Sequence, residues 1–247
     1  MSEAPDDSEE TEVPGGKTRW TLIIAAQGEG AEAERALEEL VQLYWRPLYA
    51  YARRKGRSHE DAEDAVQSFL AEKVVLGPLV QKADRAKGSF RALLRRAMED
   101  WMTSGYRLAT AEKRGGTAGT LSLEGMPEYY AQIPAETLTA EEVFDHAWAI
   151  EILHRAMEHL AATAGDAETP QLLEFLREGT PQEKRAALAE RLGVSGNYLA
   201  QKLHRLRYGS IPRAMRAELG EQCSPQAFPQ EWAYLCELLG IPPNSGA

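Results

Sequence analysis

Hydrophobic residues recur every three or four positions over most of the chain, and this period predicts α-helices. Ala, Leu, Glu and Arg, which all favour helices, dominate the composition, and alternating strand-like runs of any length are absent. We therefore predict an all-α fold. At 247 residues the chain is long enough for two modest domains, each with its own core.

The first half of the chain predicts a long helix followed by a shorter one. Apolar residues form a stripe from Glu29 to Lys55, within which Pro47 is expected to kink the helix or make it restart. Ser58 with Asp61 forms a capping pair that opens the next helix. The outward face of this second helix is polar and acidic: Asp64, Gln67, Ser68 and Glu72.

A third amphipathic helix is predicted from Ser89 to Trp101, with Phe90 on its inward side. Trp101 falls at the same spacing as the inward residues. Its ring is therefore a candidate either for core packing or for stacking on an unpaired base. Arg91 and Arg95 are expected to point outward.

In the second half, two short helices are predicted to meet at a tight turn. Gly193 suits a left-handed residue at the end of the first helix, Val194 is an apolar plug, and Ser195 can cap the second helix. One face of the second helix is apolar: Leu199, Leu203 and Leu206. The opposite face carries hydrogen-bonding side chains and no acid: Asn197, Tyr198, Gln201, Lys202 and Arg205. This pattern is typical of a helix-turn-helix that reads base edges in the major groove, and the alternative is a helical hairpin with a solvated face.

The net charge of −10 hides a strong segregation of positive and negative residues. Residues 1–12 hold six acids and no base, which predicts a disordered tail that either aids solubility or competes with DNA for basic surfaces. Basic residues are collected instead at 53–57, 82–96, 107–114 and 202–216. The overall acidity therefore does not exclude a nucleic-acid partner.

Several function classes are disfavoured by what the sequence lacks. No apolar run approaches membrane-spanning length, so we expect no membrane contact and a cytoplasmic location. The two cysteines lack the spacing of a zinc site, and His154, Glu158 and His159 lack that of a metal-binding helix, so no metal or other cofactor is predicted. Neither a nucleophile elbow nor a phosphate-cradling glycine loop is present, and we do not expect an enzyme.

Five stretches of the chain, in order, are similar to one known family. They are YWRPLYAYARRKGRSHEDAEDAVQSFLAEKV (Tyr44 to Val74), KGSFRALLRRAMEDW, EKRGG with LSLE, AETLTAEEVFDHAWAIEIL, and the predicted helix-turn-helix. Together they resemble the extracytoplasmic-function class of bacterial RNA polymerase sigma factors, in the branch with a long, loop-rich linker. The resemblance covers nearly all of residues 18–219.

This resemblance, with the composition of the two ends, implies two helical domains joined by a long linker. The predicted divisions are an acidic tail at 1–17, a sigma region 2-like domain at 18–107, the linker at 108–137, a sigma region 4-like helix-turn-helix domain at 138–219, and a C-terminal extension with a short amphipathic helix at 220–247. The amphipathic segment from Pro229 to Leu239 either packs on the second domain or docks a regulator.

The resemblance also implies a promoter-specificity subunit with three contact surfaces. One surface would bind core RNA polymerase at the clamp helices of its largest subunit, with further contact to the flap: Asp61, Asp64, Gln67 and Ser68. A second would hold the unpaired strand of the minus-ten element: Arg91, Arg95, Trp101, Tyr106 and Arg107. The third would read the minus-thirty-five element of promoter DNA, with Lys202 on a phosphate: Asn197, Tyr198, Gln201, Lys202 and Arg205. An anti-sigma factor would be a further partner.

Two other functions stay open. Ser104 and Gly105 stand where relatives continue a charged helix, and Gly209 and Pro212 are expected to interrupt the last helix of the second domain. These departures favour a sigma-like regulatory protein that binds polymerase or a regulator without opening promoters. The remaining alternative is a helix-turn-helix repressor, although a repressor has no need of the first domain.

Overall fold

The computed structural model describes residues 19–84, 87, 89–104, 133, 137–177, 182–220 and 228–243. Within these ranges the chain is helical and has no strand, which confirms the all-α prediction. The helices are α1 Arg19–Ala26, α2 Ala31–Arg54, α3 His59–Phe69, α4 Phe90–Ser104, α5 Ala140–Ala162, α6 Glu168–Arg177, α7 Gln182–Leu192, α8 Gly196–Arg205, α9 Ile211–Gly220 and α10 Phe228–Leu239. Two π-helical turns, Leu70–Val75 and Leu206–Ser210, extend α3 and α8.

Helix α2 runs without interruption through Pro47, so the predicted restart is wrong. A proline inside a helix removes one backbone hydrogen bond. Here Tyr44 and Leu48, on either side of Pro47, are both buried in the core and hold the two halves of the helix in register. The burial of the flanking side chains thus offsets the local defect.

Helix α3 begins and faces the core as predicted. The Asp61 backbone N–H donates to the Ser58 side-chain oxygen at 3.0 Å, which confirms the cap. Ala62, Val66 and Phe69 are completely buried, while the predicted outward side chains are exposed. This helix therefore presents a polar face that no other described part of the chain covers.

Helix α5 is the centre of the fold because it packs along α2 and also against α6, α9 and α10. It begins at a capping box formed by Thr139 and Glu142. Phe144 is fully buried and meets the Tyr51 ring edge-on at 6.5 Å. The two halves predicted as domains share one cluster of buried side chains, and their limits stay a prediction, since most of the linker at 108–137 and the tail at 1–17 lie outside the described residues.

The chain stays helical from α8 through the second π-helical turn into α9, so Gly209 and Pro212 do not interrupt it. Pro212 lies in the first turn of α9, where a missing N–H costs little. Helix α10 then packs on α5 and α9 with Trp232, Leu235 and Cys236 buried. Its apolar face is therefore occupied by this chain itself, as the packing interpretation of this segment predicts.

Candidate nucleic-acid interface

The turn between α7 and α8 has the geometry that its sequence predicts. Gly193 adopts a left-handed backbone conformation, with φ of +66°, directly after α7. The Val194 N–H donates to the Ala189 carbonyl at 3.0 Å, and the Tyr198 N–H donates to the Ser195 side-chain oxygen at 3.2 Å. The apolar stripe of α8 is buried as predicted: Leu199, Leu203 and Leu206. Local chemistry thus fixes how α8 leaves α7.

We predict that Gly193→Ala lowers the free energy of unfolding by about 1–2 kcal/mol, because a side chain strains a left-handed backbone. The matched control is Gly196→Ala, three residues on, which lies inside α8 with no positive φ and no atom within 4 Å of an added Cβ. There the change should be neutral or stabilising, since Ala favours helices. Urea unfolding of both variants measures the difference, and equal stabilities would show that the turn is not strained by a side chain.

The predicted reading face of α8 is open to solvent. Asn197, Gln201 and Arg205 are all exposed and, being four residues apart, lie along one side of the helix. Gln201 and Arg205 also line a shallow groove with Ala200 and His204. Amide and guanidinium groups in such a row can pair with acceptors and donors on base edges. These three residues are brought together as the sequence predicts.

Lys202 and Tyr198 are held differently from the expectation for α8 alone. The Lys202 ammonium is 2.7 Å from a Glu168 carboxylate oxygen and 3.2 Å from one of Asp166, and the Lys202 side chain is only 17% exposed. The Tyr198 hydroxyl donates to the same Glu168 at 3.2 Å. Both acids stand at the start of α6, where the backbone amide of Thr169, helped by Lys202, lowers the pKa of Asp166 to about 2. Lys202 is therefore committed to carboxylates and not presented to a phosphate.

This pairing predicts unequal salt dependence for two cations on one helix. Arg205→Gln should reduce the slope of log affinity against log salt by about 0.9 for duplex DNA, the value for one lost phosphate contact. Lys202→Gln should leave the slope unchanged, because its charge is already neutralised by Glu168 and Asp166. Fluorescence anisotropy with one labelled duplex over a salt series measures both slopes. An equal reduction for the two variants would mean that Lys202 leaves its acids to reach the DNA.

Arg91 is buried, and its predicted outward orientation is wrong. Its side chain is 8% exposed and forms ion pairs with Asp145 of α5 and with Glu231 of α10, the latter at 2.8 Å. Its guanidinium lies 4.4 Å from the centre of the Trp148 ring. Burial alone lowers the pKa of Arg91, but the two carboxylates outweigh this and raise the pKa above its ordinary value. The helical period predicted the face of α4 correctly but not that α5 and α10 cover that face.

The other predicted strand contacts have mixed outcomes. Arg95 is 31% exposed and bonds to Asp145 at 3.3 Å. The Trp101 ring packs edge-on against Phe69 at 5.9 Å, and its indole N–H lies 3.4 Å from a Glu72 carboxylate oxygen. Trp101 therefore follows the packing interpretation. Tyr106 and Arg107 lie outside the described residues.

A basic pocket at the start of α4 is a candidate site that the sequence did not single out. It has a volume of about 210 Å³, and its lining combines apolar side chains with four charged ones. The charged residues are Lys82, Asp84, Lys87 and Arg96. Trp20 also lines it, and the buried indole N–H of Trp20 finds no hydrogen-bond partner among the described residues. An apolar floor with a cationic rim suits a flat group that carries phosphate.

The predicted polymerase-binding residues all lie on α3. Asp64, Gln67 and Ser68 are exposed, whereas Asp61 is half-buried and accepts a hydrogen bond from the Ser58 hydroxyl at 2.8 Å. The polar face continues into exposed apolar residues at the end of the π-helical turn, where Leu76 is 83% exposed. A face with acids and a neighbouring apolar knob is suited to a partner helix that carries basic and apolar residues.

Among the described residues, no group of His, Cys, Asp and Glu is arranged to hold a metal ion, and none of the described helices is long and apolar enough to cross a membrane. Comparisons of this chain with protein-family models, with curated proteins and with solved structures gave no match. The similarity to sigma factors therefore rests on the sequence motifs alone.

Proposed function

We propose that this protein is a sigma factor that binds core RNA polymerase and directs it to specific promoters for transcription initiation. The observation that carries the proposal is the row of exposed Asn197, Gln201 and Arg205 on a helix whose other face is buried behind a capped turn. In this role α8 reads duplex DNA in the major groove, as the second helix of a helix-turn-helix. The sequence motifs of the extracytoplasmic-function class supply the family context.

Two further surfaces support the proposal. The exposed acidic face of α3 offers Asp64 and Gln67 to a basic helix of the polymerase. The pocket lined by Trp20, Lys87 and Arg96 offers an apolar floor and cations to an unpaired strand. In this proposal the strand contact shifts from the covered Arg91 side of α4 to the open side that carries Arg96.

One observation favours a second function, that of a sigma-like regulatory protein that binds polymerase without opening promoters. Arg91 is buried and Arg95 is bound to Asp145, so two of the cations expected on the opened strand are occupied within the chain. A protein that keeps this arrangement on the polymerase would bind the enzyme and duplex DNA but would not hold the separated strand.

A two-step experiment tests the proposal. Purified protein is mixed with bacterial core RNA polymerase at low ionic strength and applied to a size-exclusion column, where we expect co-elution. The complex is then used for run-off transcription on genomic fragments, and the transcript starts are sequenced. Transcripts that share upstream sequence support the sigma-factor function, co-elution without transcripts supports the regulatory alternative, and absence of co-elution rejects both.

A further inference from the structure

Helix α10 covers the side of α4 that carries two arginines. The covering side chains are Glu231, which bonds to Arg91 at 2.8 Å, and Tyr234, whose hydroxyl donates to Asp145 at 2.9 Å. Asp145 in turn binds both Arg91 and Arg95. Tyr234 also lies against the Arg91 guanidinium, 5.6 Å from its ring centre. Three helices that are distant in sequence therefore meet at one ion cluster.

The hydroxyl of Tyr234 remains a donor at neutral pH. Burial and the Asp145 carboxylate raise the pKa of Tyr234 to about 12. The cluster therefore depends on a neutral phenol, two carboxylates and two guanidinium groups. Its geometry is satisfied only when α4, α5 and α10 keep one relative position, because short charge-assisted hydrogen bonds are directional.

The energetic balance of such a cluster is narrow. Removing charged groups from water costs several kcal/mol for each ion, and the attraction between the paired charges offsets this cost only in part. The Arg91 Nε atom is buried and finds no acceptor among the described residues, so the guanidinium is not fully satisfied. A competing anion that supplies better acceptors can therefore replace a carboxylate at Arg91 for a small net change in free energy.

A nucleic-acid phosphate is such an anion, since it accepts paired hydrogen bonds from arginine in the same forked geometry as a carboxylate. The Glu231 carboxylate lies on the covering helix, and its side chain is 18% exposed. Arg95, which is 31% exposed, extends the cationic surface towards solvent from the same ion cluster. A strand that approaches Arg95 would next meet the position that Glu231 occupies.

We propose that α10 is an intramolecular cover: Glu231 and Tyr234 keep Arg91 and Arg95 on Asp145, and a nucleic-acid strand binds these arginines only when α10 is displaced. This inference rests on the strand-binding part of the proposed function. It assigns the C-terminal helix a regulatory role in addition to packing. In the covered state the chain can read duplex DNA through α8 while its Arg91 side is closed to a separated strand.

The first experiment measures strand affinity with the full-length chain. The variant Glu231→Gln with Tyr234→Phe weakens the cover while it keeps side-chain size. We expect it to bind a fluorescein-labelled single-stranded oligonucleotide about tenfold more tightly than the original chain. We also expect its salt slope to increase by about 0.7 for each phosphate gained. The matched control is Glu237→Gln, which removes the same charge from an exposed position of α10 and should not reproduce this change.

The second experiment uses the unaltered chain and does not depend on how the variant folds. Hydrogen exchange of the α10 amides is followed by mass spectrometry with and without the same oligonucleotide, and we expect faster exchange when the strand is bound. Strand binding without any change at α10, or equal affinities of the double variant and Glu237→Gln, would overturn the cover while leaving the sigma-factor proposal intact. If neither the original chain nor the double variant binds the strand, the strand-binding part of the proposed function fails together with this inference.

Discussion

Arg91→Met should lower the free energy of unfolding by about 3 kcal/mol, because it leaves two largely buried carboxylates without their main cation. Methionine keeps most of the length and apolar volume of the side chain, so the loss reports the charge and its hydrogen bonds. We expect the lower end of the range for a broken buried pair, since Asp145 keeps its contacts with Arg95 and Tyr234. Chemical unfolding in urea, monitored by circular dichroism, measures the change.

Arg96→Met is the matched control, because Arg96 lies on the same helix and is exposed. Its effect on stability should stay within about 0.5 kcal/mol, as for most surface changes. Arg91→Lys should recover only part of the loss, because an ammonium cannot form the forked pair that reaches Asp145 and Glu231 together. Equal stabilities of Arg91→Met and Arg96→Met would mean that the ion cluster does not form.

Gln201→Ala should reduce affinity for a preferred duplex by about 1–3 kcal/mol, or roughly 5-fold to 150-fold, if the Gln201 amide pairs with a base edge. The preferred duplex is obtained first by selecting bound sequences from a random library with the original protein. Affinity for an unselected duplex should change little, because non-specific binding is dominated by phosphate contacts. The ratio of the two affinities is the quantity to measure.

Arg35→Ala provides the baseline for these binding measurements, since Arg35 is exposed on α2, outside the two helices of the candidate reading unit. Repeating the selection with Gln201→Ala should relax the sequence preference at one position of the site and leave the others as they were. An unchanged preference, with unchanged affinity for the selected duplex, would remove Gln201 from the reading face.

The elements that sequence predicted well are those governed by neighbouring residues. Ser58 and Ser195 cap α3 and α8 as expected, since a cap involves residues only three positions apart. Gly193 ends α7 because a left-handed residue is needed there and glycine adopts it without strain. The failure at Pro47 has the opposite origin, because burial of the flanking residues decides that α2 continues.

The candidate site divides in the same way. The sequence alone determined the all-α fold, the helix caps and the alignment of Asn197, Gln201 and Arg205, because each follows from spacing within one helix. Only the tertiary structure decided the state of Arg91 and Lys202, since Asp145 lies 54 positions from Arg91 and Asp166 lies 36 positions from Lys202. A periodic pattern indicates which face of a helix is polar, but it contains no information about which distant carboxylate will cover that face.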